Sequence, residues 1–244
     1  MNKKYKSIVI LTGAGISAES GLQTFRDANG LWNNHRVEDV ATIEAYYRNP
    51  AYIHQFYNQM RSELFNAMPN TAHKAITKLQ QQCSAIVNII TQNVDTLHEK
   101  AKNNNVYHIH GQINQIVCLN CGHVFETWNS VNADDYCPYC ANNKKLKPNI
   151  VFFGENLLYM DKVYNLLKNC DLFVSIGTSG VVYPAAGFVQ IAKAFNADTY
   201  ELNMEQTSNN YLFDRHIYGP AGTTLPKLVD EILMASNVCE ENGE

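Results

Sequence analysis

Four of the seven cysteines form two closely spaced pairs, Cys118 with Cys121 and Cys137 with Cys140. A C-x2-C pair can present two thiolates from one tight turn, and four thiolates satisfy a tetrahedral zinc ion. Because cysteine would fill all four positions, no coordination site remains for water or substrate, and we expect one structural zinc per chain. Two disulfides are the alternative, which a reducing cytosol disfavours.

A glycine-rich segment follows the first apolar run of the chain. Its residues Gly13-Ala14-Gly15-Ile16-Ser17-Ala18 match the pattern G-x-G-x-x-A. Small residues in such a turn let the main chain approach a pyrophosphate and direct N–H groups toward it. No acidic ribose ligand is evident about 20 residues later, since Glu38 and Asp39 do not close a recognisable second strand. The pattern therefore predicts either a dinucleotide site or a tight turn that binds nothing.

Two further segments place polar side chains after apolar runs. Residues 91–98 offer amide, carboxylate and hydroxyl groups, which suit a ligand site but equally suit a polar loop with a helix cap. His108 and His110 are two residues apart in an extended stretch, so both side chains could face one cleft. A neutral imidazole can accept a hydroxyl proton near neutral pH, so a histidine here is a candidate base, with a structural histidine as the alternative.

Alternating strands and helices must position these groups. Apolar runs predict strands over residues 6–12, 85–90, 106–110, 171–177 and 199–203. Helical periodicity predicts one helix that begins near Pro69 with an Asn or Thr cap, and others over 160–169, 184–195 and 225–235. Repeated strand and helix units imply an α/β fold with a Rossmann-like, doubly wound parallel sheet, whose ligands bind beyond the carboxyl ends of the strands.

The stretch 113–150 interrupts this alternation, because it carries Asn, Asp, Pro and Gly but little periodic apolar sequence. We expect it to be an insertion. The predicted Rossmann-like nucleotide-binding domain comprises residues 1–34, 69–112 and 151–244. The predicted small domain, which combines helices with a zinc ribbon, comprises residues 35–68 and 113–150.

Length and composition restrict the class of protein. A chain of 244 residues that is 45% hydrophobic can bury the cores of one large and one small domain. The net charge of -4 offers no general attraction to nucleic acid or to anionic lipid, and a basic peptide is a more natural partner. The apolar run 7–11 is too short for a signal segment or a membrane span. We expect a cytoplasmic protein that binds neither nucleic acid nor membrane, with a monomer as a plausible state.

The string from Gly13 to Trp32, GAGISAESGLQTFRDANGLW, resembles the cofactor-binding signature of the sirtuins, in which GAGIS is followed by SGIPxFR. The segment TQNVDTLH at 91–98 is similar to the sirtuin motif TQN-(I/V)-DGLH, and His110-Gly111 matches the His-Gly pair of the family. Leu22-Gln23 and Thr96 depart from the pattern, in which Ile-Pro and Gly are usual. The resemblance covers the chain from Ile8 to Leu228.

The resemblance implies an enzyme that uses NAD as a co-substrate to remove acyl groups from protein lysine side chains, with nicotinamide and an acyl-ADP-ribose as products. It implies that His110 is the general base and that Asn93 and Asp95 bind the nicotinamide carboxamide and the ribose. Phe25 would lie over the reactive carbon of the sugar. The other implied NAD contacts are Gly13, Ala14, Gly15, Ser17, Arg26, Trp32, Gln92, Val94, Gly177, Thr178, Ser179, Asn203, Glu205 and Ala221.

The resemblance also implies a site for an acyl-lysine protein or peptide. The F-G-E stretch of sirtuins receives the substrate main chain by strand addition. An ordinary edge strand is the alternative for this segment. The implied substrate contacts here are Val151, Phe152, Phe153, Gly154 and Glu155.

The acyl pocket departs from one type of sirtuin. Desuccinylase-type members carry Tyr-x-x-Arg on a helix of the small domain, where both side chains can bind an acyl carboxylate. Here Tyr57 is followed three residues later by Met60, which lacks the positive charge. Arg61 is rotated by about 100° around the helix and is a poor substitute. We expect neutral acyl groups to be preferred over succinyl or malonyl, although Met60 could also be a simple packing residue.

Three other functions stay open at this point. They are mono-ADP-ribosyl transfer from NAD, a nonenzymatic sensor of NAD or ADP-ribose, and a zinc-ribbon module that binds protein or nucleic acid. The acidic balance of the chain and the few basic residues between Cys118 and Cys140 disfavour the third.

Overall fold

The computed structural model describes residues 5–23, 31–32, 35–142 and 145–241, with the main chain alone for 31–32 and 237–241. The strands are β1 (Ser7–Thr12), β2 (Leu31–Trp32), β3 (His35–Arg36), β4 (Ile86–Thr91), β5 (Val106–His108), β6 (Gly111–Cys118), β7 (Val124–Glu126), β8 (Leu146–Ile150), β9 (Leu172–Ile176), β10 (Asp198–Asn203) and β11 (Arg215–Tyr218). The α-helices are α1 (Val37–Val40), α2 (Ile43–Arg48), α3 (Pro50–Phe65), α4 (Thr71–Gln82), α5 (Leu97–Lys100), α6 (Met160–Lys168), α7 (Phe188–Ala194) and α8 (Ala221–Glu241).

Six strands form one parallel sheet in the order β11-β10-β9-β1-β4-β5. The chain leaves the central strand β1 toward β4 and β5, and then returns to build β9, β10 and β11 on the other side of β1. The order of strands therefore reverses between β1 and β9. In an open parallel sheet this reversal opens a crevice beyond the carboxyl ends of the strands, where ligands bind.

Helices cover both faces of this sheet. On one face α4 and α8 pack against strand residues such as Ile10 and Val174. On the other face α6 and α7 pack against Leu11 and Phe173. Because neighbouring residues of one strand point to opposite faces, the continuous apolar runs serve two cores at once. The prediction of a doubly wound, Rossmann-like parallel sheet is confirmed.

The helices α1–α3 and the strands β6–β8, which we call the small module, have apolar cores of their own. The order β7-β6-β8 forms an antiparallel sheet. A core that includes Ile53, Tyr57 and Ile113 joins the helices to β6 and β8. A smaller core around Ile116 includes two of the paired cysteines. An inserted zinc-ribbon-like sheet with a four-cysteine cluster is therefore present, as predicted.

Strand β11 and the first turn of helix α8, which the sequence did not predict, lack a buried apolar pattern. Strand β11 reads Arg-His-Ile-Tyr at the edge of the sheet, and three of its four side chains are exposed. Helix α8 begins four residues before the predicted start. The sequence pattern did not reveal this first turn, because its residues, Ala-Gly-Thr-Thr, carry no large apolar side chain. The predicted cap of α4 is Asn70, whose side chain accepts a hydrogen bond from the N–H of Ala72 at 2.9 Å.

In the part of the chain that the structure describes, no helix is both long enough and apolar enough to span a membrane.

Candidate active site

Two turns meet at the point where the strand order reverses. The N–H of Gly13 donates to the carbonyl of Ile176 at 3.0 Å, and the N–H of Gly15 donates to the carbonyl of Gly177 at 2.9 Å. A Cβ atom on Gly15 would lie 2.6 Å from the Cα of Gly177, which itself has a φ of +60°. Only glycine fits at both positions, and the two main chains form the floor of a cleft.

The carboxyl end of β4 contributes a buried polar network to this cleft. The side-chain amide of Asn93 donates to the carbonyl of Gly13 at 3.1 Å and to Ser17 Oγ at 3.2 Å. Ser17 Oγ in turn donates to Asp95 Oδ2 at 2.9 Å, and Asp95 Oδ1 accepts from the N–H of Leu97 at 2.9 Å. The network ties the glycine-rich turn to the segment after β4, and it fixes the orientation of the Asp95 carboxylate.

His110 lies at the edge of the cleft, directly after β5. Its Nδ1 is 2.8 Å from the carbonyl oxygen of Gln92. Because a carbonyl only accepts, Nδ1 carries the proton and Nε2 keeps a free lone pair. Burial lowers the pKa of His110 below its ordinary value, and the bond to Gln92 opposes that shift only in part. His110 is therefore a neutral imidazole near pH 7, with a basic nitrogen available.

The residue after His110 must be glycine. Gly111 has a φ of +81°, and a Cβ atom there would lie 1.9 Å from the carbonyl oxygen of Asn149. The close approach lets β6 start directly beside the end of β8, where the N–H of Val151 donates to the carbonyl of His110 at 2.9 Å. The main chain of His110 is thus fixed by the stretch 149–151.

His108 is buried and does not line the cleft. Its Nδ1 is 2.9 Å from the carbonyl oxygen of Asn93, and its Nε2 is 2.8 Å from Glu99 Oε1. The two histidines therefore do not face the same cleft, which was the possibility that their spacing allowed. His108 supports the main chain of the loop after β4 from beneath, while His110 faces the cleft.

The ends of β9 and β10 complete the far side of the cleft. Asn203 donates its side-chain amide to the carbonyl of Thr178 at 2.8 Å, which joins the two strand ends. Helix α8 starts beside them, and its first turn is held by Glu19, whose carboxylate accepts from the N–H of Gly222 at 2.6 Å. Glu19 lines the cleft and was not predicted, because its partner is 203 residues away in the chain.

Most of the predicted site residues line this single cleft. The predicted cofactor residues Phe25 and Arg26 lie outside the described residues, and only the main chain of Trp32 is described. The structure brings together Gly13, Ala14, Gly15, Ser17, Gln92, Asn93, Val94, Asp95, His110, Gly177, Thr178, Ser179, Asn203, Glu205 and Ala221. It adds the predicted substrate residues Tyr57, Met60, Val151, Phe152, Phe153, Gly154 and Glu155. Lining residues that the sequence did not single out include Gln59, Glu63, Leu64, Val181 and Tyr183.

The side of the cleft that carries the predicted substrate residues has an apolar wall. The rings of Tyr57 and Phe152 are stacked, with centroids 5.7 Å apart, and Met60 on the next turn of α3 is 4% exposed. The main chain of Phe153 is already paired, because its N–H donates to the carbonyl of Ala41 at 2.8 Å. Gly154 follows with a φ of +94°, and its N–H has no main-chain partner among the described residues.

Arg61 is buried outside the cleft. Its Nε donates to the carbonyl of Ile113 at 3.0 Å, and its Nη1 donates to Asn58 Oδ1 at 2.7 Å. The guanidinium therefore joins α3 to β6 and does not reach the acyl side. Among the described lining residues, the side chains that carry a full charge are all acidic: Glu19, Glu63, Asp95, Glu155 and Glu205.

The four paired cysteines of the small module meet in one cluster. Their sulfur atoms all lie within 4.8 Å of one another, with Cys118 and Cys140 at 3.7 Å and Cys121 and Cys137 at 3.8 Å. These distances exclude a disulfide, whose S–S length is about 2.0 Å. A tetrahedral zinc ion with Zn–S bonds of about 2.3 Å requires S···S edges of about 3.8 Å. The cluster therefore fits a structural zinc, which it would hold through four thiolates.

We predict that Cys137→Ser abolishes zinc binding and destabilises the fold. The wild type should contain one zinc per chain by elemental analysis. The variant should lose it and melt at least about 5 °C lower, since each kcal/mol lost by a chain of this size lowers Tm by about 2–4 °C. The control is Cys83→Ser, which alters a cysteine outside the cluster and should keep the metal. A zinc-free wild type, or a Cys137→Ser variant with unchanged Tm, would contradict the assignment.

The sequence and the fold both match known proteins. Residues 13–184 match the family described as the Sir2 family. An NAD-dependent protein deacylase of Leishmania major is 50% identical over 239 residues, which cover 96% of this chain and 98% of the relative. An NAD-dependent protein deacylase of Vibrio parahaemolyticus is 48% identical, with coverage of 96% and 98%.

Solved structures give the same result. The fold is similar to that of a Sir2 homologue in complex with NAD, with a TM-score of 0.86, 36% identity and coverage of 95% of this chain and 91% of that one. It is also similar to Sir2Af2 bound to a myristoylated histone peptide, with a TM-score of 0.73, 33% identity and coverage of 98% and 94%. The motifs, the topology and the 50% identity over nearly the whole chain agree, and the chain belongs to the Sir2, or sirtuin, family.

Proposed function

We propose that the protein removes acyl groups from lysine side chains of proteins in an NAD-dependent reaction. The observation that carries the proposal is the placement of a neutral His110 on the same cleft as the Asn93, Ser17 and Asp95 network. The names of its relatives, which are NAD-dependent protein deacylases at 46–50% identity, support it.

NAD would lie across the floor of the cleft where β1 and β9 meet. The N–H groups of Gly13, Gly15 and Gly222 are already bonded within the protein. Those of Ala14, in the glycine-rich turn, and Ala221, the first residue of α8, have no main-chain partner among the described residues, and such groups bind pyrophosphate without a cationic side chain. The ends of β9 and β10 supply hydroxyl and amide groups suited to ribose. Asn93 and Asp95 sit at the opposite end of the floor, close to His110, and would hold the nicotinamide carboxamide and its ribose.

The acyl-lysine would enter from the side of Phe152 and Gly154. The main-chain N–H of Gly154, which has no main-chain partner among the described residues, can bind a peptide carbonyl, while Phe153 is already paired with the segment 41–43. Main-chain recognition of this kind holds a peptide with little dependence on its sequence. The acyl group would then lie along Tyr57 and Met60.

NAD supplies a ribose carbon that carries a good leaving group, and the acyl oxygen of the substrate attacks it as nicotinamide departs. His110 Nε2 then accepts a proton from a ribose hydroxyl, so that this oxygen can attack the acyl carbon. The lysine amine then leaves with the proton that His110 accepted, and water adds to the acyl carbon to give an acyl-ADP-ribose. The bond from Nδ1 to Gln92 holds the ring so that Nε2 is directed toward the cleft.

We also propose the domain division that the sequence predicts, with residues 35–68 and 113–150 as the small domain. The separate cores of α1–α3 and β6–β8 support it. In this division the NAD side of the cleft belongs to the large domain, and helix α3 of the small domain supplies the acyl side.

Replacement of His110 by alanine should lower kcat/KM at least about 100-fold, the usual contribution of a general base. Nicotinamide release with an acetyl-lysine peptide measures the loss. Because the pKa of His110 is lowered, the wild type should keep its activity down to about pH 6.5, the ordinary pKa of histidine. Activity should be lost only when the pH falls through the lowered pKa of His110, because Nε2 then becomes protonated. His216→Ala, on the edge strand β11, is the control and should match the wild type. A His110→Ala variant with near-normal rates would refute the role.

The acyl side of the cleft should favour uncharged acyl groups over acidic ones. An acidic acyl group would meet Met60 instead of a cation, and Glu63, which accepts from Gln59 at 3.0 Å, lines the same cleft. Acetyl and crotonyl peptides should therefore react faster than a succinyl peptide of the same sequence. Met60→Arg should raise the ratio of desuccinylase to deacetylase activity about tenfold or more, as a charge-assisted hydrogen bond would.

Met68→Arg is the matched control, because Met68 follows α3 and is 70% exposed. It should leave the ratio unchanged. A wild type that removes succinyl fastest would overturn the predicted preference without affecting the proposed deacylation itself.

A further inference from the structure

A buried lysine lies directly behind the stretch that would bind the peptide. Lys147 is in β8 of the small module, and it is 3% exposed. Its Nζ donates to Glu155 Oε2 at 2.9 Å and to the carbonyl of Ile150 at 2.7 Å. It also lies 4.1 Å from the centre of the Phe152 ring. Lys147 itself does not line the cleft, so it cannot contact a substrate there.

The lysine and its partner close a turn. Glu155 Oε2 accepts from the N–H of Phe152 at 2.8 Å as well as from Lys147. The N–H of Glu155 donates back to the carbonyl of Phe152 at 2.9 Å. Both main-chain groups of Phe152 are therefore bound within the turn 152–155. Gly154, which would bind the peptide, lies between the two residues that are held.

All the groups around the Lys147 nitrogen are acceptors or an aromatic face. Two carbonyl oxygens, a carboxylate and the Phe152 ring surround it, so the ammonium form is the one that satisfies them. Burial lowers the pKa of Lys147, and the bond to Glu155 counteracts this shift. The cation is held by groups that all belong to the segment 148–155.

Fold stability alone does not account for such a pair. Exchange of a buried ion pair for apolar groups is often neutral or stabilising, because desolvation offsets the attraction. The carboxylate of Glu155 keeps 29% of its side chain exposed and could be solvated without the lysine. What the lysine adds is geometry: it fixes the carboxylate, the end of β8 and the Phe152 ring relative to one another.

We propose that Lys147 is a positioning residue for peptide binding, which holds the turn 152–155 so that Gly154 and the Phe152 ring meet the acyl-lysine. This inference rests on the proposed deacylase function. A purely structural role would affect peptide and NAD binding alike, whereas a positioning role affects the peptide site and leaves the NAD site on the far side of the cleft unchanged. Loss of the ammonium should therefore weaken peptide binding selectively.

The test compares Lys147→Met, which keeps the length of the side chain, with Lys147→Arg, which keeps the charge. Lys193→Met is the control, since it removes an exposed ion pair with Asp214, and neither of these residues lines the cleft. With acetyl-lysine peptide and NAD, Lys147→Met should raise the peptide KM about tenfold, as the loss of roughly one net hydrogen bond would. Its kcat and its KM for NAD should stay within about twofold of the wild type.

Lys147→Arg should restore most of the peptide KM, and Lys193→Met should match the wild type. An unchanged peptide KM in Lys147→Met, or equal losses in the peptide and NAD parameters, would overturn the proposal. A double-mutant cycle with Glu155→Gln gives an independent test: the double variant should be no worse than the worse single variant, and additive effects would contradict the pair. Should Lys147→Met fail to fold, Glu155→Gln alone must raise the peptide KM, and an unchanged value would refute the inference.

The proposed function can fail separately. If the wild type releases no nicotinamide with the peptide, deacylation is refuted. The binding of a fluorescent acetyl-lysine peptide then tests Lys147 by itself, with the same weakening expected in Lys147→Met and unchanged affinity as the contrary result.

Discussion

The contact between Gly15 and Gly177 sets the geometry of the whole cleft. At this point two main chains from neighbouring strands approach so closely that a side-chain carbon on either residue would overlap the other turn. The approach is possible because β1 and β9 are adjacent and parallel, so that their carboxyl ends meet at the same edge of the sheet. A floor made of main chain alone leaves open space for a dinucleotide, which larger side chains would fill.

Polar groups of the site are linked to that floor through a series of hydrogen bonds to the main chain. Asn93 binds the carbonyl of Gly13, His110 binds the carbonyl of Gln92, and Val151 binds the carbonyl of His110. The chain of contacts runs from the glycine-rich turn through His110 to the turn 152–155. These links are bonds between main-chain groups or between a side chain and the main chain, and they fix the position of the turn 152–155. A peptide that binds to the main chain of this turn would be recognised with little dependence on its own side chains. This suits an enzyme that reads an acyl-lysine more than its neighbours.

The sequence predicted the central part of this arrangement well, for physical reasons. Strands β1, β4 and β9 are buried on both faces, so they stand out as continuous apolar runs, and two cysteine pairs at this spacing are typical of a metal site. Edge strand β11 escaped prediction because its residues are mostly exposed. The role of Lys147 could not be read either, because a lysine in a sequence is presumed exposed, and its burial depends on the packing of β8 against the turn 152–155. Arg61 shows the opposite case: its helical phase predicted that it is a poor substitute for an arginine at position 60, and its guanidinium is bound to Ile113 and Asn58.

The most direct test of the proposed chemistry is to identify the products formed from NAD and an acetyl-lysine peptide. Mass spectrometry should find nicotinamide, deacetylated peptide and acetyl-ADP-ribose in equal amounts, because in the proposed reaction one cleft would hold the ribose and the acyl oxygen beside His110. A peptide or protein that carries ADP-ribose would show that the same NAD site serves transfer to another nucleophile. Intact NAD after incubation, despite measurable binding, would show that the cleft senses the nucleotide without reacting, and the deacylase proposal would be wrong.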